Sequence, residues 1–325
     1  MELKNLYKKV GVKVNDFLYS NGLRPLSIHK EDSHVLVYHG VTKNAKTDIN
    51  ARFISTSVFE NQLRFFKDHF TLCTLEELIS APSKSRKMRI SLTFDDGYLN
   101  NLDEVIPLLE KYQIPATFFI TTIRLSEFNY LWADLLDLHR YTGPDSFQFM
   151  GKEFFKKGNE YVSNAGSLKQ LLKASAWELK KSLSKQILSE NNFIADNKYA
   201  PYCQLMNEAQ LQQLSRSTYA TIGSHGVYHN CLTSIDLKAA EWELIESKKY
   251  LENITQKEVT LMAYPDGLYN NELIDLCDRA GYKHQFIVDY ADPNDSKDPR
   301  LVPRFGINPY IGLKYQMQCI VDGHY

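Results

Sequence analysis

Apolar residues along the chain gather in short unbroken runs, and the segments between them carry a helical rhythm. The runs are Val35–Tyr38, Met88–Phe94, Ala116–Thr121, Tyr219–Ile222, Val259–Ala263, Gln285–Val288 and Leu301–Ile307. Runs of this length, bounded by polar or turn-forming residues, predict strands buried on both faces. Leu102–Tyr112, Leu237–Leu251 and Asn271–Ala280 repeat apolar residues every three or four positions, which predicts helices. Ser57-x-x-Glu60 and Thr74-x-x-Glu77 have the form of capping boxes and predict two more helix starts. The alternation of strand and helix predicts an α/β fold around a parallel sheet, open or closed. In such folds the chemistry sits where strands deliver their C-terminal ends. Residues 1–30 read as a helical lead-in and residues 31–325 as the main domain. From about 132 to 217 the alternation stops. This stretch is polar, with its clearest helical pattern over Leu168–Leu188, and reads as an inserted helical subdomain over or beside the site.

Composition narrows the choices. With 43% hydrophobic and 24% charged residues, the 325-residue chain has the balance of a globular protein with a sizeable core. A formal charge of −1 provides no field to attract nucleic acid, and the basic stretch Lys84-Ser85-Arg86-Lys87 reads as solvated loop. Five cysteines without CxxC spacing argue for neither a disulfide framework nor a cysteine-rich zinc site. Met1–Asp16 is too polar for a signal peptide and no apolar run approaches a membrane span. The expectation is therefore a cytoplasmic protein, although a secreted chain freed of its leader would read alike. The oligomeric state is not legible. Twenty Tyr and 17 Phe suit a carbohydrate-handling surface as well as a core.

Thr93-Phe94-Asp95-Asp96-Gly97 is the first segment to carry chemistry. Two carboxylates closing an apolar strand are costly to bury unless paired or bound to a metal. Neighbours on a strand face opposite ways, so both reach one site only where the strand ends, and Gly97 supplies the break. One Asp on a metal would leave the other free as a general base; the plainer reading is a turn in which an Asp caps the next helix. Ser224-His225-Gly226-Val227-Tyr228-His229 is the second segment. A spacing of four places both imidazoles on one side of a helical turn, as shared metal ligation requires. Gly226, where a zinc protease motif has Glu, sets that class aside. Together Asp96, His225 and His229 make a two-His, one-carboxylate set that leaves positions open for water and substrate.

TFDDG at 93–97, SHGVYH at 224–229 and Ala263-Tyr264-Pro265-Asp266-Gly267, in that order, resemble the polysaccharide deacetylase family, known also as carbohydrate esterase family 4 or the NodB-homology domain. The similarity covers roughly Val35–Thr122 and Tyr219–Ile307 and is nearest to the poly-N-acetylglucosamine deacetylase subset. It implies a distorted (β/α) barrel of seven or eight strands and removal of N-acetyl groups from an amino sugar. It also implies a divalent metal, Zn2+ by default and Co2+, Ni2+ or Fe2+ as alternatives, on Asp96, His225 and His229. Asp95 would be the general base and the backbone N–H of Asp266 an oxyanion donor. The family's third motif usually opens on Arg, where this chain has Ala263; Arg304 could supply that guanidinium. The late proton-donating His has no counterpart in place, which leaves His39 and His324 as candidates. Trp132 could stack on sugar or anchor the core. Two other readings stay open: a deacylase of a small or lipid-linked N-acyl or N-formyl amide, and a barrel that binds carbohydrate without catalysis.

Overall fold

In the computed structural model, which describes residues 2–28, 33–80, 87–190 and 198–325, the predicted strands form one parallel sheet. They are β1 (Ser33–Tyr38), β2 (Arg89–Phe94), β3 (Ala116–Ile120), β4 (Ala220–Ser224), β5 (Leu261–Ala263), β6 (His284–Ile287) and β7 (Leu301–Gly306). Each pairs in parallel with its neighbour, in the order β1-β7-β6-β5-β4-β3-β2, and β2 pairs back onto β1. Among the described residues, seven strands therefore close a barrel. Side chains alternate across its wall. On β2, Ile90, Leu92 and Phe94 pack outward in the main core with the helices, while Val35, Phe119, Ala263 and Phe286 form a separate cluster inside. Large apolar side chains fill the interior, so the barrel is packed rather than open.

The register brings the chemistry to one rim. Beyond the strand ends the ladder continues by one residue, with Asp95 N–H donating to Tyr38 O (3.0 Å) and His225 N–H to Ile120 O (2.9 Å). His39, Asp95, His225 and Tyr264 each follow the last residue of a strand. Helices α2 (Thr56–His69), α3 (Leu75–Ser80), α4 (Ile106–Tyr112), α8 (Glu208–Arg216), α9 (Leu237–Thr255), α10 (Asn271–Arg279) and α11 (Leu313–Asp322) alternate with the strands. The lead-in is a helix, α1 (Glu2–Ser20), held to α11 by stacking of Tyr19 on Tyr315. No described helix is long and apolar enough to cross a membrane.

Two local expectations resolve differently. Thr74 and Glu77 make the reciprocal box, Thr74 N–H to Glu77 Oε2 at 2.8 Å and Glu77 N–H to Thr74 Oγ1 at 3.2 Å. Ser57 does not cap α2. Ser55 does so two residues earlier, taking the N–H of Val58, and Glu60 turns to Lys111 and Tyr112 of α4 instead. Lys84, Ser85 and Arg86 lie outside the described residues.

The insertion is mixed rather than helical. After α5 (Trp132–Thr142) the chain forms a four-stranded antiparallel meander, Ser146–Phe149, Lys152–Lys157, Glu160–Ser163 and Gly166–Ser167. Period-two burial of Phe147, Phe149, Phe154 and Tyr161, with a tight turn at Met150-Gly151 in the left-handed region, overrides the helical rhythm around it. The expected Leu168–Leu188 helix is broken into α6 (Leu168–Lys173) and α7 (Trp177–Glu190). Trp132, Leu135, Leu138, Leu172, Leu183 and Ile187 join these aromatic residues in a core separate from that of the barrel.

Candidate metal and catalytic centre

Asp96 leaves β2 with φ of +78°, and Gly97 follows at +85°. These two left-handed residues swing the Asp96 carboxylate off the strand's alternation, so that both carboxylates reach the rim of the barrel. Asp95 keeps the inward phase of the strand and meets Arg304, which shares that phase on β7. Arg304 Nη1 lies 2.6 Å from Asp95 Oδ1 and Nη2 lies 2.8 Å from Oδ2, a bidentate pair at 5% and 3% exposure. The guanidinium also lies over the Phe119 ring at 5.2 Å. Burial pushes the Asp95 carboxyl up, but Arg304 and His225 outweigh it and hold the group below its ordinary value. The guanidinium that meets Asp95 thus comes from β7, while position 263 is Ala.

His225 follows β4 directly. Its Nδ1 lies 2.7 Å from the Ala263 carbonyl, which can only accept, so Nδ1 carries the proton and Nε2 is left as a ligand atom. His225 Nε2 and His229 Nε2 lie 3.6 and 3.3 Å from Asp96 Oδ1. The two histidines do not share a helical turn, as their spacing had suggested. Residues 225–230 form an irregular loop in which Gly226 (φ +74°) and His229 (φ +52°) turn the chain back on itself. Glycine suits position 226 because φ is +74°, and a Cβ there would also crowd the Glu243 carboxylate at 3.1 Å.

These three residues fit a divalent cation. Both Asp96 oxygens are fully buried and lack a hydrogen-bond partner, and their contacts to the imidazoles do not have hydrogen-bond geometry. A buried carboxylate in that condition is costly unless a positive charge is bound to it, and Arg52, 3.6 Å from Oδ2, stands too far away to donate a hydrogen bond to it. The ligand atoms of Asp96, His225 and His229 lie within 4.8 Å of one another. Tetrahedral zinc with bonds of about 2.0–2.2 Å spaces its ligand atoms about 3.3–3.6 Å apart, which is close to the separations from Asp96.

The centre opens into a cavity of about 320 Å³ lined by the rim and by the insertion, including Arg52, Trp132, Asp137, Lys173, Asp266 and Arg304. Lys173 of α6 forms an ion pair with Asp266, which follows Pro265 at φ of +59°. The insertion therefore roofs the site. Trp132 lines the cavity but is 2% exposed under the Lys180 ammonium, so it serves chiefly as an anchor of the insertion's core. His39 lines the same cavity, and burial first and Arg52 second lower its imidazole to about 4. His324 is exposed, bonded through Nδ1 to the Asp322 carbonyl, and is not among the residues lining the cavity. A larger cavity of about 580 Å³, lined by Tyr141, Tyr199 and Tyr202 among others, contains none of the ligand set.

Sequence reading missed Arg52, whose Nη1 lies 3.6 Å from Asp96 Oδ2 and whose Nη2 lies 3.2 Å from Asp134 Oδ1 of α5. A lone Arg in a polar loop gives no signal. It also missed Glu243 and Lys180, which do leave one: each is a charge on the apolar face of a helix, beside Ala240 and Leu244 in one case and Trp177 and Leu183 in the other.

The sequence profile of polysaccharide deacetylases matches residues 83–284, more than half of the chain. The chain belongs to the polysaccharide deacetylase family. Its members are hydrolases, and dependence on a metal is general among them. A poly-β-1,6-N-acetyl-D-glucosamine N-deacetylase of Staphylococcus aureus (strain MRSA252) is 24% identical over 296 residues, which span 86% of this chain and 80% of that protein. The fold is shared with the Streptococcus pyogenes deacetylase PplD solved with acetate, at TM-score 0.55 and 18% identity over 88% of this chain and 96% of that one. It is also shared with IcaB from Ammonifex degensii, at TM-score 0.55 and 13% identity over 90% and 97% of the two chains.

Proposed function

We propose that the protein is a metal-dependent N-deacetylase acting on N-acetylated amino sugars of a poly- or oligosaccharide, with the barrel rim as its active site. One observation carries this reading. The Nε2 atoms of two imidazoles converge on a buried carboxylate whose oxygens have no hydrogen-bond partner, beside a second carboxylate held by Arg304. That pairing of a ligand set with a free base suits attack by water on an amide. Similarity to a poly-N-acetylglucosamine deacetylase supports the sugar.

Asp96, His225 and His229 would hold the metal, with Zn2+ favoured by the donor set. When bound, it supplies positive charge beside the amide carbonyl and acidifies water. Asp95 takes the proton of the attacking water. Arg304 keeps that carboxylate ionised and fixes its plane, and each oxygen retains a lone pair for the proton. The Asp266 backbone N–H is assigned to the oxyanion, in a turn fixed by Pro265 and by the Lys173 ion pair. His39 is assigned proton delivery to the departing amine. It is neutral at rest, so the proton it hands to the amine is the one that Asp95 has taken from the attacking water and passes on to it during turnover. The cavity volume lies at the small end of the range for ligand sites, about 300–1,000 Å³, and suits one acylated sugar unit beneath the insertion.

Acetate release from β-1,6-linked N-acetylglucosamine oligomers by metal-loaded protein tests the proposal, with Asp95→Asn as control. Release abolished by that substitution is the expected result. No release from fully metal-loaded wild type would overturn the choice of substrate.

A further inference from the structure

The loop that carries both histidines is tied from below by a line of buried polar groups. Glu243 Oε2 on α9 accepts the backbone N–H groups of Val227 (2.9 Å) and Tyr228 (3.1 Å). Glu243 Oε1 accepts the Asn230 side-chain amide at 2.7 Å. The Asn230 carbonyl oxygen accepts the Lys180 ammonium at 2.5 Å. Lys180, Asn230 and Glu243 are 0%, 2% and 1% exposed. Lys180 belongs to α7 of the insertion, with its Nζ 5.3 Å from the centre of the Trp132 ring.

An ammonium and a carboxylate buried this deeply are costly unless they compensate each other. Here the compensation passes through an amide. Asn230 turns its acceptor to the cation and its donor to the anion, so its two ends cannot be exchanged. Asn230 adjoins His229, and the N–H groups held by Glu243 lie between His225 and His229. Burial lowers Lys180 to about 8, which leaves it protonated at neutral pH. Its charge comes from the insertion, while the loop it steadies comes from the barrel.

We infer that Lys180, Asn230 and Glu243 form a positioning relay by which the insertion sets the affinity of the metal-binding loop. Lys180 acts without touching metal or substrate. The inference rests on Asp96, His225 and His229 being the metal ligands.

The test is metal binding by the full chain rather than turnover. Co2+ is titrated by visible absorption and Zn2+ by chelator competition, for wild type, His229→Ala, Lys180→Met, Glu243→Gln and the double variant. Loss of outer-shell support typically weakens binding about 10–100-fold, and Lys180→Met is expected in that range with a changed Co2+ spectrum. Glu243→Gln sets its amide N–H2 against that of Asn230, and flipping Asn230 only moves the conflict to Lys180. Lys180→Met removes that second conflict, so the double variant should bind metal more tightly than Glu243→Gln alone. Should Lys180→Met fail to fold, Lys180→Gln keeps a donor without the charge and is expected to weaken metal several-fold. A folded Lys180 variant that binds within twofold of wild type, with an unchanged spectrum, refutes the relay. So does a double variant whose loss is the product of the two single losses. Wild type that takes up no metal, or that loses none in His229→Ala, overturns the ligand assignment and the relay together.

Discussion

Replacing Arg304 by Met leaves Asp95 ionised inside the barrel with its guanidinium partner gone. The pair is bidentate at 2.6 and 2.8 Å and almost wholly buried. At an effective dielectric near 20, unit charges about 4 Å apart attract by roughly 4 kcal/mol. Removing one member of a buried pair costs about 3–5 kcal/mol, because the other is left uncompensated. Arg304→Met is therefore expected to lose about 4 kcal/mol at pH 7 in urea denaturation. The sign of its pH dependence follows from the Asp95 carboxyl, which the wild-type fold holds below its ordinary value. Such a group contributes stability that is full above the unfolded pKa and is lost as pH falls through the folded one. Wild type should thus lose its advantage over the variant on acidification. Without Arg304, burial dominates and Asp95 titrates higher, so the acidic limb of acetate release should move to higher pH. Asp95→Asn combined with Arg304→Met removes both charges and should recover part of the stability, though no activity. A single variant that loses less than about 1 kcal/mol and keeps the acidic limb in place would show that this pair does not govern the base.

Asp96→Ala should abolish stoichiometric metal uptake, read by metal analysis after gel filtration, while Asp95→Asn keeps it; equal uptake by both would remove Asp96 from the ligand set. His39→Gln tests the half-buried neutral imidazole. Its folded pKa of about 4 lies below the unfolded value near 6.5, so wild-type stability should fall as pH drops across that window, by up to about 3 kcal/mol. Urea midpoints at pH 7 and 4.5 should show a steeper loss in wild type than in His39→Gln, and parallel losses would contradict the shift. Lys173→Ala opens the ion pair between α6 and Asp266, a partly exposed contact worth at most about 1 kcal/mol. It should raise KM for acetylated oligomers several-fold with little change in urea midpoint; an unchanged KM would mean that the roof does not contact the sugar.

What the chain disclosed beforehand was decided by the range of each signal. Strand runs such as Met88–Phe94 and Ala116–Thr121 are buried on both faces and show as continuous apolar stretches, so the barrel was legible. Asp95, Asp96, His225 and His229 were legible because they adjoin strand ends in sequence. The insertion was misjudged because alternation in Ser146–Phe149 and Lys152–Lys157, with glycine-bearing turns at 151 and 158, was outweighed by the longer helical rhythm of Leu168–Leu188. The helical turn assigned to His225 and His229 failed for another reason. A spacing of four is satisfied equally by a loop that doubles back, and what bends this one is Glu243, thirteen residues beyond the loop's last hydrogen-bonded partner. The Arg304–Asp95 pair spans 209 positions and rests on the registers of β7 against β1 and of β1 against β2, which no local pattern encodes.

Left-handed backbone at both Asp96 and His229 connects these observations. Neither residue is Gly, and each such conformation costs on the order of 1–3 kcal/mol unless its surroundings impose it. At Asp96 the constraint is local: Gly97 takes the second half of the turn, and the Asp95 N–H is held by Tyr38 on β1. At His229 it is assembled from distant parts, with Glu243 from α9 gripping the loop's backbone and Lys180 from α7 closing the line through Asn230. Of the proposed ligands, Asp96 is therefore turned by the barrel's own backbone, with Arg52 linking its carboxylate to Asp134 of the insertion, while the His229 loop is held by the barrel and the insertion together. The insertion roofs the cavity through Lys173 and underpins the His229 loop through Lys180, so the enclosure of the cavity and the shape of the loop proposed to hold the metal depend on the same added segment of chain.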